Sequence, residues 1–517
     1  MVLMARIYSQ TTRAIGWLGE GNAQTTAAIH SIKDIASRSW KFGIMASRLF
    51  NPLDCGKGAG IKKALRDLVD ELDFQDLGAF FRQAWFSRLW VVQEACLPPE
   101  LILWNGTNTL KLEDFYVSTG ILLRLLMEYG LTEAMSSLID LETSEFSVAE
   151  AFRLAQERQQ FRSTKSRAKN KVAKDIWLTV QAHHEKACAN PLDKIYGLLG
   201  LKDVNDPIEI LVNYDNSVEE LYKDFAFSYL QMGIIHVLHG AGIDTFDPRH
   251  CGRTRNLPTW VTDWASLLPK RLDRVNWKLS SAFRAATALS LILLIKKDTL
   301  PFIGVSGVQI DIVEEEVSTM DPDGMSLRDI LAQRPERIIS IKRRLAIKQP
   351  YPAGEDTGAA FSRTLVLDLC GVIITQQIGN WQNLGPSWAE FEHAINNKQP
   401  LVLSGNSRAE RFLHTAYLAA IERSFLVTKS GYFGIGPQYI RPGDNVVVFN
   451  GDRTPFVLRR IELENCPLDE DEERNTEGEF CPDEQYQLIG DCYVHGFMDN
   501  EVVSPKWRAK QQTFWIR

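Results

Sequence analysis

"WFSRLWVVQEA", Trp85 to Ala95, decides how the first part of this chain is read. At helical spacing Trp85, Leu89, Val92 and Cys96 line one face, and Phe86 and Trp90 widen that stripe until little of the cylinder stays polar. The pattern predicts one buried helix that nevertheless carries Arg88, Gln93 and Glu94. A buried charge is costly unless it is paired or hydrogen-bonded, so Arg88 and Glu94 each need a partner. Six residues apart on a continuous helix, they point about 120° away from each other, so partners are expected elsewhere in the fold.

Around this stretch, strand and helix patterns alternate. "RAIGWLG" (Arg13–Gly19) reads as a strand closed by glycine, and "TTAAIHSIKDIASR" after it as a helix with Ala27, Ile32 and Ile35 inward. "IKKALRDLVDELDF" reads as a further helix, and "ELILWNG" as a strand ending at a "GTN" turn. Alternation of this kind predicts α/β layers, here over residues 1–110. From 111 to 348 the patterns are mainly helical. "NPLDKIYGLLGL" offers Asn190 as N-cap, Pro191 at the first helical position, Asp193 in the first turn and Gly200 as the stop. "SVEELYKDFAFSYLQMG" is a capping box of Ser217 and Glu220 before a stripe of Leu221, Phe225 and Met232, closed by Gly233. The turn-rich "QPYPAGEDT" at 349–357 is taken as a boundary, opening a carboxyl-terminal region over 349–517. From about 421 short β-like runs alternate with turns, among them Asn450-Gly451 and Arg441-Pro442-Gly443-Asp444, which predicts a small barrel or bent sheet. The acidic run Asp469–Glu479 is expected to be a disordered insertion.

The 517 residues, 45% hydrophobic and 24% charged, describe an ordinary globular chain of several domains. A net charge of −7 gives no global electrostatic reason for nucleic acid or an anionic membrane as partner. The basic run "RQQFRSTKSRAKNK" (Arg158–Lys171) reads as a solvated helix face or loop. "ALSLILLI" (Ala288–Ile295) is far too short to span a membrane and reads as a core segment. The amino terminus lacks the pattern of a signal peptide, so a cytoplasmic protein is expected. Eight cysteines without C-x-x-C spacing read as reduced thiols.

Chemical motifs mostly fail on inspection. Gly19-Glu20-Gly21 follows a strand, but Gln24 replaces the third glycine of a dinucleotide fingerprint, and "GKGAGIKK" lacks the Gly-Lys-Ser/Thr ending of a P-loop. His236 and His239, with His250 and Cys251 downstream, lack a second tight ligand pair, so no metal is expected there. The adjacent His183 and His184 point in different directions. The glycines of "GYFGIGP" read as turn residues.

"RIYSQTTRAIGWLGE", "AWFSRLWVVQEACLPPELILWNG", "NPLDKIYGLLGL", "YDNSVEELYKDFAFSYL" and "LPTWVTDWAS", in this order, resemble the fungal heterokaryon incompatibility (HET) domain proteins. "RSFLVTKSGYFGIGPQYIRPGDNVVVFNGDRTPFVLR" and "YQLIGDCYVHGFMD" resemble the tail common in that group. The resemblance implies a core similar to the TIR fold, a parallel α/β sheet. It also implies a role in non-self recognition, with growth arrest or cell death when incompatible hyphae fuse. Of the family's motif blocks, the third corresponds to Arg88, Trp90, Gln93 and Glu94, and the latter half of the second to Tyr8 through Trp17 and Gly19. The first has no counterpart, which implies a domain lacking its front, with apolar surface exposed or the sheet rearranged.

What the resemblance implies about mechanism divides in three. The leading expectation is action through protein interaction, with Arg88 and Glu94 as anchors that hydrogen-bond backbone at strand ends while Trp85 and Trp90 fill the core. The second, by fold-level analogy, is a TIR-like NAD glycohydrolase with Glu94 as its catalytic carboxylate. The third is an inactive, decayed paralogue. Protein partners are expected, with self-association left open; nucleic acid, a membrane span and a cofactor are not, NAD entering only as a substrate.

Overall fold

The computed structural model describes residues 2–41, 67–68, 70–129, 147–166, 175–203, 206, 208–242, 254, 256–266, 283–294, 301–317, 323–345, 350–368, 384–401, 407–462 and 482–517. They form two compact units that divide after Asp215. Helices Leu112–Tyr129 and Ser147–Ser166 pack on the elements that precede them.

In the first unit, strand β1 (Ala14–Trp17) pairs in parallel with β2 (Leu101–Asn105), which turns through Gly106 into antiparallel β3 (Asn108–Lys111). The sheet is therefore mixed rather than wholly parallel. Between β1 and β2 in sequence lies helix Ala23–Lys41, started by Asn22 and Thr25, whose side chains accept each other's backbone N–H at 2.8 and 3.0 Å. It buries Ala28, Ile29, Ile32, Ile35 and Ala36; Ala27, expected inward, faces solvent because the apolar stripe is centred one residue later. The inner face of the sheet presents Gly16, Leu101, Leu103 and Leu110 to the core. Gly16 is small for a reason: a Cβ there would lie 2.8 Å from Leu103 Cδ2 and 2.9 Å from Trp85 Cζ2. Trp85 thus wedges against the strand, and Phe86 beside it stacks on Phe115 with ring centroids 5.5 Å apart. The outer face carries Ile15, Trp17 and Trp104, exposed by 53%, 50% and 39%.

The second unit is built on a strand that helical patterning missed. Strand β4 (Leu293–Leu294) pairs with β5 (Ile303–Glu316), a fourteen-residue strand inside the region expected to be helical. The later strands are β6 (Arg423–Thr428), β7 (Phe433–Pro437), β8 (Asn445–Phe449), β9 (Pro455–Arg460), β10 (Gln485–Asp491), β11 (Tyr493–Val494) and β12 (Gln511–Ile516). The hydrogen-bonded path β5–β12–β10–β9–β8 returns to β5 and closes a ring, from which β6, β7 and β11 extend as an open flank. The bent-sheet expectation is met by a closed ring with a side sheet, not by a simple barrel. Two irregularities in β5, between Gln309 and Asp311 and between Val313 and Glu315, bend the strand, and beyond the second its partner is β6. Val308, Ile310, Val446, Val448 and Val457 fill a core beneath it.

Several local expectations meet this architecture directly. The Ser217–Glu220 capping box and both turns are present, with Gly443 and Gly451 at φ +96° and +82°. Gly434 and Gly436, expected in turns, lie within β7. Within "QPYPAGEDT", Tyr351 is buried and its hydroxyl donates to the His495 carbonyl at 2.8 Å. In "ALSLILLI", expected as core, Ile292 just before β4 and Leu294 within it are 58% and 44% exposed, and β4 pairs on one side only among the described residues. The acidic run at 469–479, "GKGAGIKK" and most of the helix expected at 61–74 lie outside the described residues.

Candidate functional site

The stretch Trp85–Ala95 is not one helix. Helix Ala84–Ser87 stops, Arg88 adopts extended backbone at φ −81°, ψ 134°, and a second helix runs Val91–Cys96. Arg88 forms a parallel bridge with Ala187. Because of the break, neither Arg88 nor Glu94 is buried: Arg88 is exposed and Glu94 half-buried, while Trp85, Leu89, Val92 and Cys96 are buried as the stripe predicted, and Gln93 is buried with them.

Tyr8 supplies what the sequence could not assign. It sits on helix Val2–Gln10, and its phenol lies within electrostatic reach of both the Glu94 carboxylate and the Arg88 guanidinium. Burial pushes the Tyr8 pKa up, the negative charge of Glu94 pushes it further, and Arg88 opposes them. Three motif residues from two blocks therefore meet in one cluster. The other motif residues have separate tasks. Gln93 Nε2 donates to the Gly197 carbonyl at 2.6 Å, so it, rather than Arg88 or Glu94, fastens the second helix to backbone. Trp90 is half-buried at the start of that helix. Trp17 meets Trp104 edge-to-face at 6.4 Å on the outer face of the sheet. Gly19, at φ +109°, accepts the Gly106 N–H at 2.9 Å where β1 gives way to its loop.

Sequence reasoning missed the support at the far end of this segment. Arg158, read as part of a solvated basic run, is buried and donates to the carbonyls of Ala95, Pro98 and Pro99 at 2.5, 2.8 and 2.9 Å. Arg162 adds a bond to the Pro98 carbonyl at 2.9 Å. The signal was present in Pro98-Pro99, which cannot continue a helix and leaves its last carbonyls in need of donors. A cation at that end also suits the helix dipole.

The histidines considered for metal are otherwise engaged. His239 is clamped in the second unit, with Nε2 2.9 Å from Asp452 Oδ1 and Nδ1 3.3 Å from Asp491 Oδ2. Asp491 in turn pairs with buried Arg423. His250 and Cys251 lie outside the described residues, and no cluster of three metal-ligating side chains occurs among those described. His183 is fully buried and burial lowers its pKa, while His184 Nδ1 lies 2.8 Å from the Gln181 carbonyl.

Residues 1–94 match the family model "Heterokaryon incompatibility protein (HET)", and residues 373–516 match the "Het-6 beta-barrel domain". Heterokaryon incompatibility protein 6, OR allele, of Neurospora crassa is 21% identical over 587 residues, an alignment covering 99% of this chain and 80% of that protein. The chain carries a HET domain and a Het-6 barrel domain. Its HET match ends at Glu94, so the whole Tyr8–Arg88–Glu94 cluster falls within the matched span. The matched barrel domain, by contrast, takes its longest strand, β5, from residues before the match begins. No solved structure matches this HET-domain protein. No helix among its described residues is long and apolar enough to cross a membrane.

Proposed function

We propose that this HET-domain protein acts in the cytoplasm in fungal non-self recognition and the associated cell death, and that it does so mainly by binding protein. The observation that carries the interaction reading is the outer face of the β1–β2 pair. Ile15, Trp17 and Trp104 are exposed side by side there, and aromatic side chains of this kind dominate the energetics of protein interfaces. The occupant we assign to it is a protein partner. The parallel β1–β2 pair with a helix between its strands supports a TIR-like reading of the domain, and antiparallel β3 departs from it.

The test is expression in a fungal host that responds to the unaltered protein. Trp17→Ser with Trp104→Ser should abolish the incompatibility response while the protein accumulates normally. A full response from the double variant would refute the interaction reading.

A second reading has its own observation, since Glu94 lies with a phenol and near a guanidinium at one site. That constellation suits a carboxylate stabilising positive charge on a ribose, as a TIR-like NAD glycohydrolase would require. Incubation of the purified protein with NAD separates the two readings. Turnover that disappears in a folded Glu94→Ala variant would establish catalysis, and no turnover alongside a retained cellular response would leave interaction.

A further inference from the structure

The break at Arg88 has to be held open, because it leaves backbone groups that a helix would have satisfied. In an uninterrupted helix the Phe86 carbonyl would accept from Trp90 N–H, the Ser87 carbonyl from Val91 N–H, and Leu89 N–H would donate to Trp85. None of these pairings is possible once Arg88 is extended. The structure replaces all three from two consecutive residues elsewhere in the unit. Lys186 Nζ donates to the Phe86 carbonyl at 2.6 Å, Ala187 N–H donates to the Ser87 carbonyl at 2.7 Å, and Leu89 N–H donates to the Ala187 carbonyl at 2.9 Å.

Lys186 is itself fixed on several sides. Its side chain is 1% exposed, its ammonium lies 3.2 Å from Glu150 Oε2, and its carbonyl accepts from Lys194 Nζ at 2.8 Å. Glu150 pairs with Arg153 at 2.7 Å. Burial opposes the ionised form of Glu150, but Arg153 and Lys186 hold its carboxyl pKa down to about 2, so the lysine has a charged partner throughout the physiological range.

The consequence reaches the motif. On a continuous helix Arg88 and Glu94 diverge by about 120°, whereas here both lie within electrostatic reach of the Tyr8 phenol. We propose that Lys186 is a positioning residue of the Tyr8–Arg88–Glu94 cluster: with Ala187 it forms a splint that takes over the backbone of Phe86, Ser87 and Leu89, keeps the motif in two pieces, and so brings Arg88 and Glu94 to one phenol. This deepens the reading of that cluster as a working site, but its test reads geometry and not signalling, so the two fail separately.

The experiment places fluorotyrosine at position 8 of the full chain and follows its fluorine resonance as pH rises through the phenol titration. In the unaltered background, Glu94→Gln should lower the titration midpoint. In Lys186→Met, which keeps the aliphatic stem but removes donor and charge, Glu94→Gln should no longer move it, and Lys186→Arg should restore the response. An undiminished response in Lys186→Met overturns the proposal. Should Lys186→Met not fold, hydrogen exchange on the unaltered chain decides: the Leu89 and Ala187 amides should open together with one protection factor, and values about tenfold or more apart would overturn the splint.

Discussion

Gln93 Nε2 and the Gly197 carbonyl form a buried 2.6 Å hydrogen bond between residues far apart in the chain. The same amide is confined on its other side, since a Cβ at Gly200 would lie 2.7 Å from both Gln93 Oε1 and Ala5 Cβ. One motif residue thus ties "NPLDKIYGLLGL" and helix Val2–Gln10 to the second half of the motif. Gln93→Leu, which fills the space but orphans the Gly197 carbonyl, should lower stability by about 1–3 kcal/mol in urea unfolding. Gly200→Ala should cost about 1–3 kcal/mol by overpacking. The two share a contact, so the double variant should lose less than the sum.

Arg158 forks onto three carbonyls that the Pro98-Pro99 pair leaves behind. Lysine keeps the charge but cannot present several donors in one plane. Arg158→Lys should therefore retain only part of the stability. Arg158→Met should destabilise by about 2–5 kcal/mol, given buried carbonyls without donors. Equal melting temperatures for Arg158→Lys and the unaltered chain would show that charge near the helix end suffices.

How much of this was legible follows from where each partner lies. The Ser217–Glu220 box was readable because its two halves are three residues apart, and Asn450-Gly451 because a turn is a local object. The break at Arg88 was not, because Trp85, Leu89, Val92 and Cys96 fit one helix perfectly well, and the groups that stabilise the alternative come from Lys186 and Ala187. Strand β5 was missed for a similar reason: β6, β8 and β12, which give it meaning, all lie more than a hundred residues later. Burial of Leu89 and Gln93 was foreseeable from the apolar pattern, while the exposure of Arg88 depended wholly on tertiary contacts.

Trp17 and Trp104 meet at 6.4 Å with half of Trp17 exposed. If the pair serves recognition and not folding, removing it should cost little stability. An edge-to-face pair is worth about 0.5–1.5 kcal/mol, so Trp17→Ser should lower the unfolding free energy by no more than about that amount. Iodide should quench the fluorescence of these two rings and leave that of fully buried Trp177 and Trp260 untouched. A loss of several kcal/mol in Trp17→Ser would instead make the ring part of the core.

His239 bridges Asp452 and Asp491, and its charge state sets a pH window for the second unit. Burial by itself would lower its pKa. The opposing charges and hydrogen bonds of Asp452 and Asp491 outweigh burial and raise it to about 10. An unfolded histidine titrates near 6.5, so the proton is held more tightly in the folded chain. The stabilisation is therefore complete below pH about 6.5 and is lost as pH rises through about 10. Unfolding free energy measured by urea titration should fall steadily between these limits. His239→Gln should flatten that slope, and at pH 7 it should cost about 3–5 kcal/mol, because it leaves Asp452 buried without its cation. The acid side has the opposite sign: Asp491, held well below the usual carboxylate range by Arg423 and His239 against the effect of burial, contributes stability that is lost only as pH falls below that range. A stability profile in the unaltered chain that stays level from pH 7 to 10 would mean that the imidazole is neutral, and that Arg423 alone balances the two carboxylates.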